Sequence, residues 1–310
     1  SRFSQLNPKV LIICKSYSWN GKVYDREGSF LTLLSELPSL ELIIVIEDQI
    51  QRESSYDDPR IVEWNKIAKS NVELKHERRN FDHPCYVLFT SGTTGAPKGV
   101  PIKMRNLEAF VNHYQIHETI DFNSSDIFLQ SYELTFDVSI FCFLMAFVNG
   151  ATLVLPNSNK TKQLSLFKAM LDYEVTVASF VPSVIRLTKD FLPRVQFPQL
   201  RYSFFSGEVL MGKDAKVWMN SLPKAQVYNC YGPTETVIVC TEEHLNALDD
   251  SYFNNGLPLP LGKKFAEVEL ELVGGEVVFS GRQTFEGYLN NKVIDRFPSG
   301  DLAHFDSEGK

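Results

Sequence analysis

The stretch Thr90 to Gly99 combines residue types that could bind a phosphate. Its sequence is Thr-Ser-Gly-Thr-Thr-Gly-Ala-Pro-Lys-Gly, and it directly follows an apolar run that ends at Phe89. Glycines permit unusual backbone angles beside a ligand, while the hydroxyls and the Lys98 ammonium supply donors to an oxyanion. Because Lys98 does not directly follow a glycine, the stretch is not a Walker A motif. We therefore predict a phosphate-binding loop of another kind rather than an ordinary flexible loop.

Further segments carry side chains that suit a nucleotide. In chain order they are Phe205-Ser206-Gly207-Glu208, Asn229 to Thr236, Gly281 to Leu289, and Ser299-Gly300-Asp301-Leu302. An aromatic ring can stack on a base, and a carboxylate can bind Mg²⁺ or accept hydrogen bonds from two hydroxyls. A single tyrosine is usually a core residue and a single glutamate is usually solvated. It is their joint occurrence that indicates a nucleotide site.

In this order, the segments resemble the motifs of the adenylate-forming (AMP-dependent synthetase/ligase) superfamily. The superfamily includes acyl-CoA synthetases, luciferases and the amino-acid-activating domains of nonribosomal peptide synthetases. Ser91 to Gly99 is similar to its phosphate loop, whereas Ser299-Gly300-Asp301 departs from the more usual Thr-Gly-Asp. The resemblance extends over nearly the whole chain and implies an AMP-forming ligase that uses ATP and Mg²⁺.

The resemblance also implies a role for each matched residue. Tyr231 stacks on adenine, and Asp301 binds the ribose hydroxyls. Thr234 binds the α-phosphate and Glu235 holds Mg²⁺, so that these two residues and Lys98 are the implied catalytic residues. Gly207, Glu208 and Asn229 are expected at the purine edge. The full set implied to bind the nucleotide is Thr90, Ser91, Gly92, Thr93, Thr94, Gly95, Lys98, Gly207, Glu208, Asn229, Tyr231, Thr234 and Asp301.

One carboxylate, Asp137, determines the predicted substrate class. The segment from Leu134 to Ser139 resembles the Phe-Asp-x-Ser element of amino-acid-activating members, in which the Asp pairs with the α-ammonium of the substrate. A carboxylate beside an apolar helix start is costly to bury without a cation. In the alternative, Asp137 only caps the helix, although Ser139 could do this instead. We favour the ammonium partner.

The resemblance implies an acyl pocket around Asp137. Its residues are Asp137, Val138, Phe141, Ser179, Phe204, Ser206, Cys230, Ile238 and Val239. Because Asp137 is the one charged residue among them, the pocket should suit a neutral amino acid. Its two phenylalanines are expected to shorten it. Phe205 to Leu210 is similar to D-alanine–carrier-protein ligases, which indicates a small substrate and a carrier protein bearing phosphopantetheine as partner.

Two alternatives to amino-acid activation stay open. Ser18 to Ile46 and Phe81-Asp82-His83-Pro84 are similar to acetyl- or acetoacetyl-CoA ligases, which would make the chain an acyl-CoA synthetase for a small acid. Asp137 argues against this, since such an acid has no ammonium. The chain could also be a non-catalytic nucleotide-binding module, but Lys98 and Glu235 are intact.

His113 and His117 lie four residues apart on a predicted helix, which is a spacing that can bind a metal. The sequence shows no third ligand nearby. We therefore predict a solvated helix face.

The elements around these motifs indicate an α/β fold. Short β-branched runs such as Val10 to Ile13 and Leu42 to Ile46 alternate with amphipathic segments, which favours mostly parallel sheets covered by helices. After Ala266 the alternation in Glu267 to Leu272 predicts a small antiparallel β region. We expect residues 1–265 to form the α/β core and residues 266–310 a small β subdomain. The first part of the family's N-terminal domain and its mobile C-terminal domain are expected to be absent, so adenylation by these residues alone should be weak.

Composition excludes several other functions. The 310 residues include 31 basic and 38 acidic side chains, which gives a net charge of −7. This acidic balance argues against nucleic-acid binding. The longest apolar run, Ile140 to Val148, is far shorter than the ~20 residues that span a membrane. Five widely spaced cysteines predict buried, reduced thiols in a cytoplasmic protein.

Overall fold

A computed structural model of the chain describes residues 3–19, 22–46, 58–68, 78–90, 97–156 and 162–306. Its described residues form two compact units, with a boundary between Arg79 and Asn80. Within these residues, no helix has the length and apolar character needed to cross a membrane. All five cysteines are free thiols, and Cys142, Cys230 and Cys240 are buried as predicted. Cys14 and Cys85 are exposed, so the prediction of burial is wrong for these two.

The first unit is built on a small parallel sheet. Its elements are β1 (Val10–Cys14), β2 (Ser16–Trp19), β3 (Lys22–Asp25), α1 (Glu27–Glu36), β4 (Leu42–Ile46), β5 (Ile61–Glu63) and α2 (Trp64–Ile67). Strands β1, β4 and β5 pair in parallel, and β2 and β3 form an antiparallel hairpin. Phe30 of α1 packs with Leu37 and Ile43 in a buried apolar core.

The second unit contains those predicted site residues that the structure describes. Its elements are β6 (Pro84–Thr90), β7 (Lys98–Lys103), α3 (Met104–Gln115), β8 (Ile127–Leu129), α4 (Val138–Val148), β9 (Thr152–Val154), α5 (Lys162–Asp172), β10 (Val177–Phe180), α6 (Ser183–Thr188), β11 (Tyr202–Phe205), α7 (Gly212–Met219), β12 (Gln226–Tyr231), β13 (Thr241–His244), α8 (Asp250–Asn254), β14 (Lys263–Lys264), β15 (Glu269–Val273), β16 (Glu276–Ser280) and β17 (Phe297–Leu302). A large sheet has the strand order β14-β13-β12-β11-β10-β8-β9.

The large sheet is parallel from β12 to β9, and β13 and β14 join it antiparallel. Since parallel strands end at one edge, the segments that follow β10, β11 and β12 lie beside one another, where α/β sheets bind ligands. Near the C-terminal end, β15, β16 and β17 form an antiparallel sheet. Both parts of the predicted fold class are confirmed.

One strand differs from the predicted alternation. The run Tyr86 to Phe89 belongs to β6, which pairs with β7 as an antiparallel hairpin rather than in the parallel sheet. The predicted phosphate loop therefore connects two antiparallel strands, with Thr90 opposite Lys98.

Two apolar cores cover the two faces of the large sheet. Neighbouring residues of β11 contribute to different cores, Phe204 to one and Phe205 to the other, because successive side chains of a strand point to opposite faces. Trp218 of α7 lies against Phe205 and is fully buried, and its indole Nε1 donates to Ser203 Oγ at 3.0 Å.

We predict that Trp218→Ala lowers the free energy of unfolding by about 3–5 kcal/mol, because it leaves a large cavity and an unpaired serine hydroxyl. Trp64→Ala is the control, since Trp64 is 43% exposed. Chemical denaturation of both variants measures the difference. Equal losses would show that α7 does not close this core as described.

Candidate active site

A tyrosine and an aspartate meet where β12 ends. The Tyr231 hydroxyl donates to Asp301 Oδ2 on β17 at 2.6 Å. Burial and then the Asp301 carboxylate raise the pKa of Tyr231, so the hydroxyl stays protonated and acts as the donor. The residues predicted for adenine stacking and for ribose binding are therefore direct neighbours.

Two of the three predicted catalytic residues, Lys98 and Glu235, lie against one tyrosine. Tyr288 donates to Glu235 Oε1 at 2.6 Å, and the Lys98 ammonium lies 4.9 Å from the centroid of the same ring. Burial raises the pKa of Tyr288, and the hydrogen bond to Glu235 adds to the rise. Sequence analysis did not identify Tyr288, although it lies within the matched segment Gly281 to Leu289.

Lys98, Glu235 and Tyr288 line a cleft of about 770 Å³. Thr90, at the end of β6, and Lys98, at the start of β7, lie on one side of it. The predicted phosphate-loop residues between them, Ser91, Gly92, Thr93, Thr94 and Gly95, lie outside the described residues, so their role stays a prediction.

The side chains predicted at the purine edge are bound within the protein. The Glu208 carboxylate accepts hydrogen bonds from the amide and hydroxyl of Ser183, at 2.9 and 2.8 Å, and from Arg186 at 3.0 Å. Asn229 donates to the carbonyl of Pro260 at 2.8 Å. Gly207 has a φ of 83°. Because the Glu208 and Asn229 side chains are already bound to protein groups, the backbone near Gly207 is what remains to contact a purine. The placement of Gly207, Glu208 and Asn229 at the purine edge stays a prediction.

A second, narrower pocket lies between α3, α4 and the sheet. It is lined by Val138, Phe141, Ser179, Phe204, Ser206, Cys230, Ile238 and Val239, which are the predicted acyl-pocket residues besides Asp137, and by Tyr114. Tyr114 was missed because it lies on α3, outside every recognised motif. The free volume is about 10 Å³, which is room for about one water molecule.

Asp137 stands at the N-cap position of α4, every residue of which is described, and makes no capping hydrogen bond there. Burial raises the pKa of its carboxyl, while hydrogen bonds from the Thr234 hydroxyl and the Val138 amide oppose the rise. The Ser139 hydroxyl is buried without a partner in the described part of the chain, so it does not cap α4 either. Asp137 directly precedes Val138 of the acyl pocket, and Thr234 directly precedes Glu235 of the cleft, so their contact links segments that line the two pockets.

The prediction for His113 and His117 is wrong. Their side chains are only 15% and 14% exposed, because β13 brings Glu242 against them. Glu242 Oε1 lies 3.0 Å from His113 Nε2 and 2.5 Å from His117 Nε2. A third group with a ligand atom is therefore present, and the helix face is covered.

The hydrogen bonds of His117 argue against a metal between these three groups. Its Nδ1 accepts from the backbone amides of Thr119 and Ile120, both at 3.1 Å. The neutral ring therefore carries its proton on Nε2 and donates it to Glu242, whereas a metal at Nε2 requires the proton on Nδ1. Burial disfavours the charged form of Glu242, but the hydrogen bonds from His113 and His117 outweigh it and lower its pKa. We interpret the cluster as a clamp between α3 and β13.

We predict that Glu242→Gln lowers the stability at neutral pH by about 1–3 kcal/mol and reduces the loss of stability in acid. A lowered native pKa means that the carboxylate stabilises the fold above its ordinary value of 4.5 and that this contribution disappears as the pH falls through the lower native value. Denaturation at a series of pH values measures both effects. Glu271→Gln is the control, since Glu271 forms an exposed pair with Arg296. The same acid dependence in wild type and Glu242→Gln would contradict the clamp.

Known proteins match this chain in sequence. Residues 2–289 match the family model described as AMP-binding enzyme. A plipastatin synthase from Bacillus subtilis (strain 168) is 31% identical over 252 residues, which cover 74% of this chain and 10% of that protein. D-alanine–D-alanyl carrier protein ligase of Staphylococcus haemolyticus (strain JCSC1435) is 33% identical over 214 residues, which cover 67% of this chain and 42% of that protein. The chain thus spans less than half the length of these two relatives.

Solved structures show the same fold. The Vibrio cholerae adenylation domain AlmE, in complex with glycyl-adenosine-5'-phosphate, aligns over 97% of this chain and 60% of its own, with a TM-score of 0.70 and 22% identity. Acetoacetyl-CoA synthetase from Streptomyces lividans aligns over 99% of this chain and 51% of its own, with a TM-score of 0.77 and 18% identity. At these identities the likeness extends to the fold alone.

Proposed function

Because the chain belongs to the family of AMP-binding enzymes, we propose that it activates a small neutral amino acid with ATP and transfers it to a carrier protein. The observation that carries the proposal is the position of Asp137. Its half-buried carboxyl contacts Thr234, and the two residues directly precede Val138 of the acyl pocket and Glu235 of the cleft. In our proposal the α-ammonium of a bound amino acid lies beside this carboxyl. A buried carboxyl with a raised pKa gains most from such a cation.

The first step joins substrate and nucleotide. A carboxylate oxygen of the amino acid attacks the α-phosphorus of ATP, an O–P bond forms, and the bond to pyrophosphate breaks to give aminoacyl-AMP. Asp137 orients the ammonium, Thr234 hydrogen-bonds the α-phosphate, and Lys98 offsets phosphate charge. In the second step, a phosphopantetheine thiolate on the carrier protein attacks the acyl carbon and AMP leaves.

Glu235 fits a magnesium ion. Its carboxylate lines the cleft beside Lys98 and offers the hard oxygen that this cation prefers. When bound there, Mg²⁺ would supply positive charge to the phosphates. Tyr288, which donates to Glu235, would keep the carboxylate oriented in the empty and loaded enzyme.

The pocket supports a small and uncharged substrate side chain. Its lining contains no charged residue among those described, and its free volume is about 10 Å³. Phe141 and Phe204 lie with ring centroids 5.2 Å apart and shorten it. Glycine or alanine would need the least rearrangement. The names of the D-alanyl carrier protein ligase and of the glycyl-adenosine-5'-phosphate complex agree with this size.

A cytoplasmic location goes with this function. ATP is the substrate, and the described cysteines are free thiols, as expected in a reducing compartment. The acidic net charge of −7 agrees with a protein partner rather than nucleic acid.

An acyl-CoA synthetase is the second candidate, because acetoacetyl-CoA synthetase shares the fold with a TM-score of 0.77. Asp137 opposes it, since a simple acid would leave the carboxyl without a cation. A non-catalytic nucleotide-binding module is opposed by Lys98 and Glu235, which line one cleft.

Exchange of pyrophosphate into ATP tests the proposal. The full-length protein is screened with the common amino acids, both enantiomers of alanine and small acids such as acetate and acetoacetate. We expect exchange with a small neutral amino acid. Exchange with the simple acids alone would establish the acyl-CoA synthetase, and ATP binding without any exchange would establish the non-catalytic nucleotide-binding module.

We predict that Asp137→Asn lowers kcat/KM for the amino acid about 10²- to 10³-fold, because the substrate ammonium is left without its counter-charge. KM for ATP should change little. Asp172→Asn, which removes an exposed partner of Lys168, is the control. Steady-state exchange kinetics measure both constants. Unchanged kcat/KM in Asp137→Asn would refute the pocket assignment.

The raised pKa of Asp137 predicts a pH dependence. A protonated carboxyl cannot pair with the ammonium, so kcat/KM for the amino acid should fall as the pH falls. Because burial raises the pKa, this fall should begin at a higher pH than the ordinary value of 3.8 implies. The pH profile at saturating ATP tests this, and the Asp137→Asn profile should lack the step. If the wild type and Asp137→Asn show the same fall of kcat/KM with falling pH, the titrating group is not Asp137.

A further inference from the structure

We propose that Gln283 is a positioning residue for substrate selection, because its amide holds a left-handed turn that forms one wall of the acyl pocket. The turn comprises Val237, Ile238 and Val239. The role of the turn in substrate selection rests on the function proposed above. The hydrogen bonding of the turn by Gln283, which we call the Gln283 clamp to distinguish it from the His113–His117–Glu242 cluster, does not.

The turn has a backbone that its residue types disfavour. Val237 and Ile238 have φ values of 62° and 73°, although both are β-branched. The Val239 amide donates to the Val237 carbonyl at 2.9 Å, which makes Ile238 the centre of a γ-turn with positive φ, a rare and strained conformation. Such residues persist only where the surrounding structure holds them, and they concentrate at ligand sites.

The surrounding backbone requires this tight reversal. The Cys240 amide returns to donate to the Tyr231 carbonyl at 2.8 Å. Gly232 approaches the returning chain so closely that a Cβ there would lie 2.5 Å from the Val239 Cα. Between these points the chain presents Glu235 to the cleft and Ile238 to the acyl pocket. Few backbone conformations can direct Glu235 into the cleft and Ile238 into the acyl pocket within so short a segment.

The Gln283 amide bonds to the backbone on both sides of the strained residues. Its Nε2 donates to the Thr236 carbonyl at 2.8 Å and to the Val239 carbonyl at 2.7 Å. Because carbonyls only accept, the amide nitrogen rather than the oxygen must face them. Gln283 is fully buried, so water does not replace these bonds if they are lost.

A second buried amide fixes the segment that carries Gln283. Asn106 of α3 donates through Nδ2 to the carbonyls of Arg282 and Thr284, at 2.8 and 3.1 Å. The Phe285 amide donates to the Glu235 carbonyl at 2.8 Å. The position of the pocket wall is therefore set from α3 through residues 282–285, which lie outside the pocket.

The variant Gln283→Met keeps the length of the side chain and removes both donors. We expect KM for the amino acid to rise at least tenfold while KM for ATP stays within about twofold, because the hydrogen bond between Tyr231 and Asp301, at the predicted nucleoside site, lies outside residues 237–239. We also expect faster hydrogen exchange at the Val237 and Val239 amides. Gln196→Met is the matched control, since it also removes a glutamine amide from a backbone carbonyl, that of Asn220.

A change at Ile238 separates the clamp from general stability. Glycine adopts positive φ without steric cost. Gln283→Met should therefore lower Tm less in an Ile238→Gly background than in the wild-type background. Equal Tm losses in both backgrounds would overturn the Gln283 clamp. Hydrogen-exchange rates at the Val237 and Val239 amides of Gln283→Met that equal those of the wild type would also overturn it. Equal increases in both KM values would overturn its role in selection. If the wild type shows no pyrophosphate exchange with any amino acid, the proposed function fails. The hydrogen exchange of the Val237 and Val239 amides and the Tm comparison still test the Gln283 clamp in that case.

Discussion

The reversal of the chain between Tyr231 and Cys240 is the constraint on which both parts of the site depend. Within these ten residues the backbone presents the Glu235 carboxylate to the cleft and the side chains of Ile238 and Val239 to the acyl pocket. A longer loop without positive φ values would place the cleft residues and the acyl-pocket residues farther apart. The tight path instead requires left-handed backbone at Val237 and Ile238, and buried hydrogen bonds from Gln283 offset its cost.

Two carboxyls with little exposure near the acyl pocket differ in their partners. Glu242, opposite Cys230 on the neighbouring strand, accepts from two imidazoles, and its pKa is lowered. Asp137 has a hydroxyl and an amide as partners, and its pKa is raised by burial. The first carboxyl is held by two imidazoles through its Oε1 atom, so it contributes to the fold. The second still lacks a cation, which is the property expected of a group that binds one.

The sequence could predict those parts that depend on local patterns. Period-2 alternation and the strand–helix order predicted the fold class. The family resemblance implied the pocket residues, and the structure brings all of them except Asp137 together in one pocket lining. Contacts between distant segments were not predictable. His113 meets Glu242 from 129 positions away, and no spacing rule indicates that β13 covers α3. Tyr288 and Gln283 lie within a recognised motif, but their roles depend on side-chain directions that become visible only in the folded chain.

We propose that the contact between Asp137 and Thr234 links the acyl pocket to the cleft, so that the bound adenylate carries an ammonium beside Asp137. The most direct measurement is the affinity of two non-hydrolysable analogues, glycyl-sulfamoyl-adenosine and acetyl-sulfamoyl-adenosine, for the wild type and Asp137→Asn, by calorimetry. Only the amino group differs between the two analogues, and no turnover is needed. We predict that the wild type binds the glycyl analogue more tightly and that Asp137→Asn abolishes this preference. Equal or tighter binding of the acetyl analogue by the wild type would contradict it.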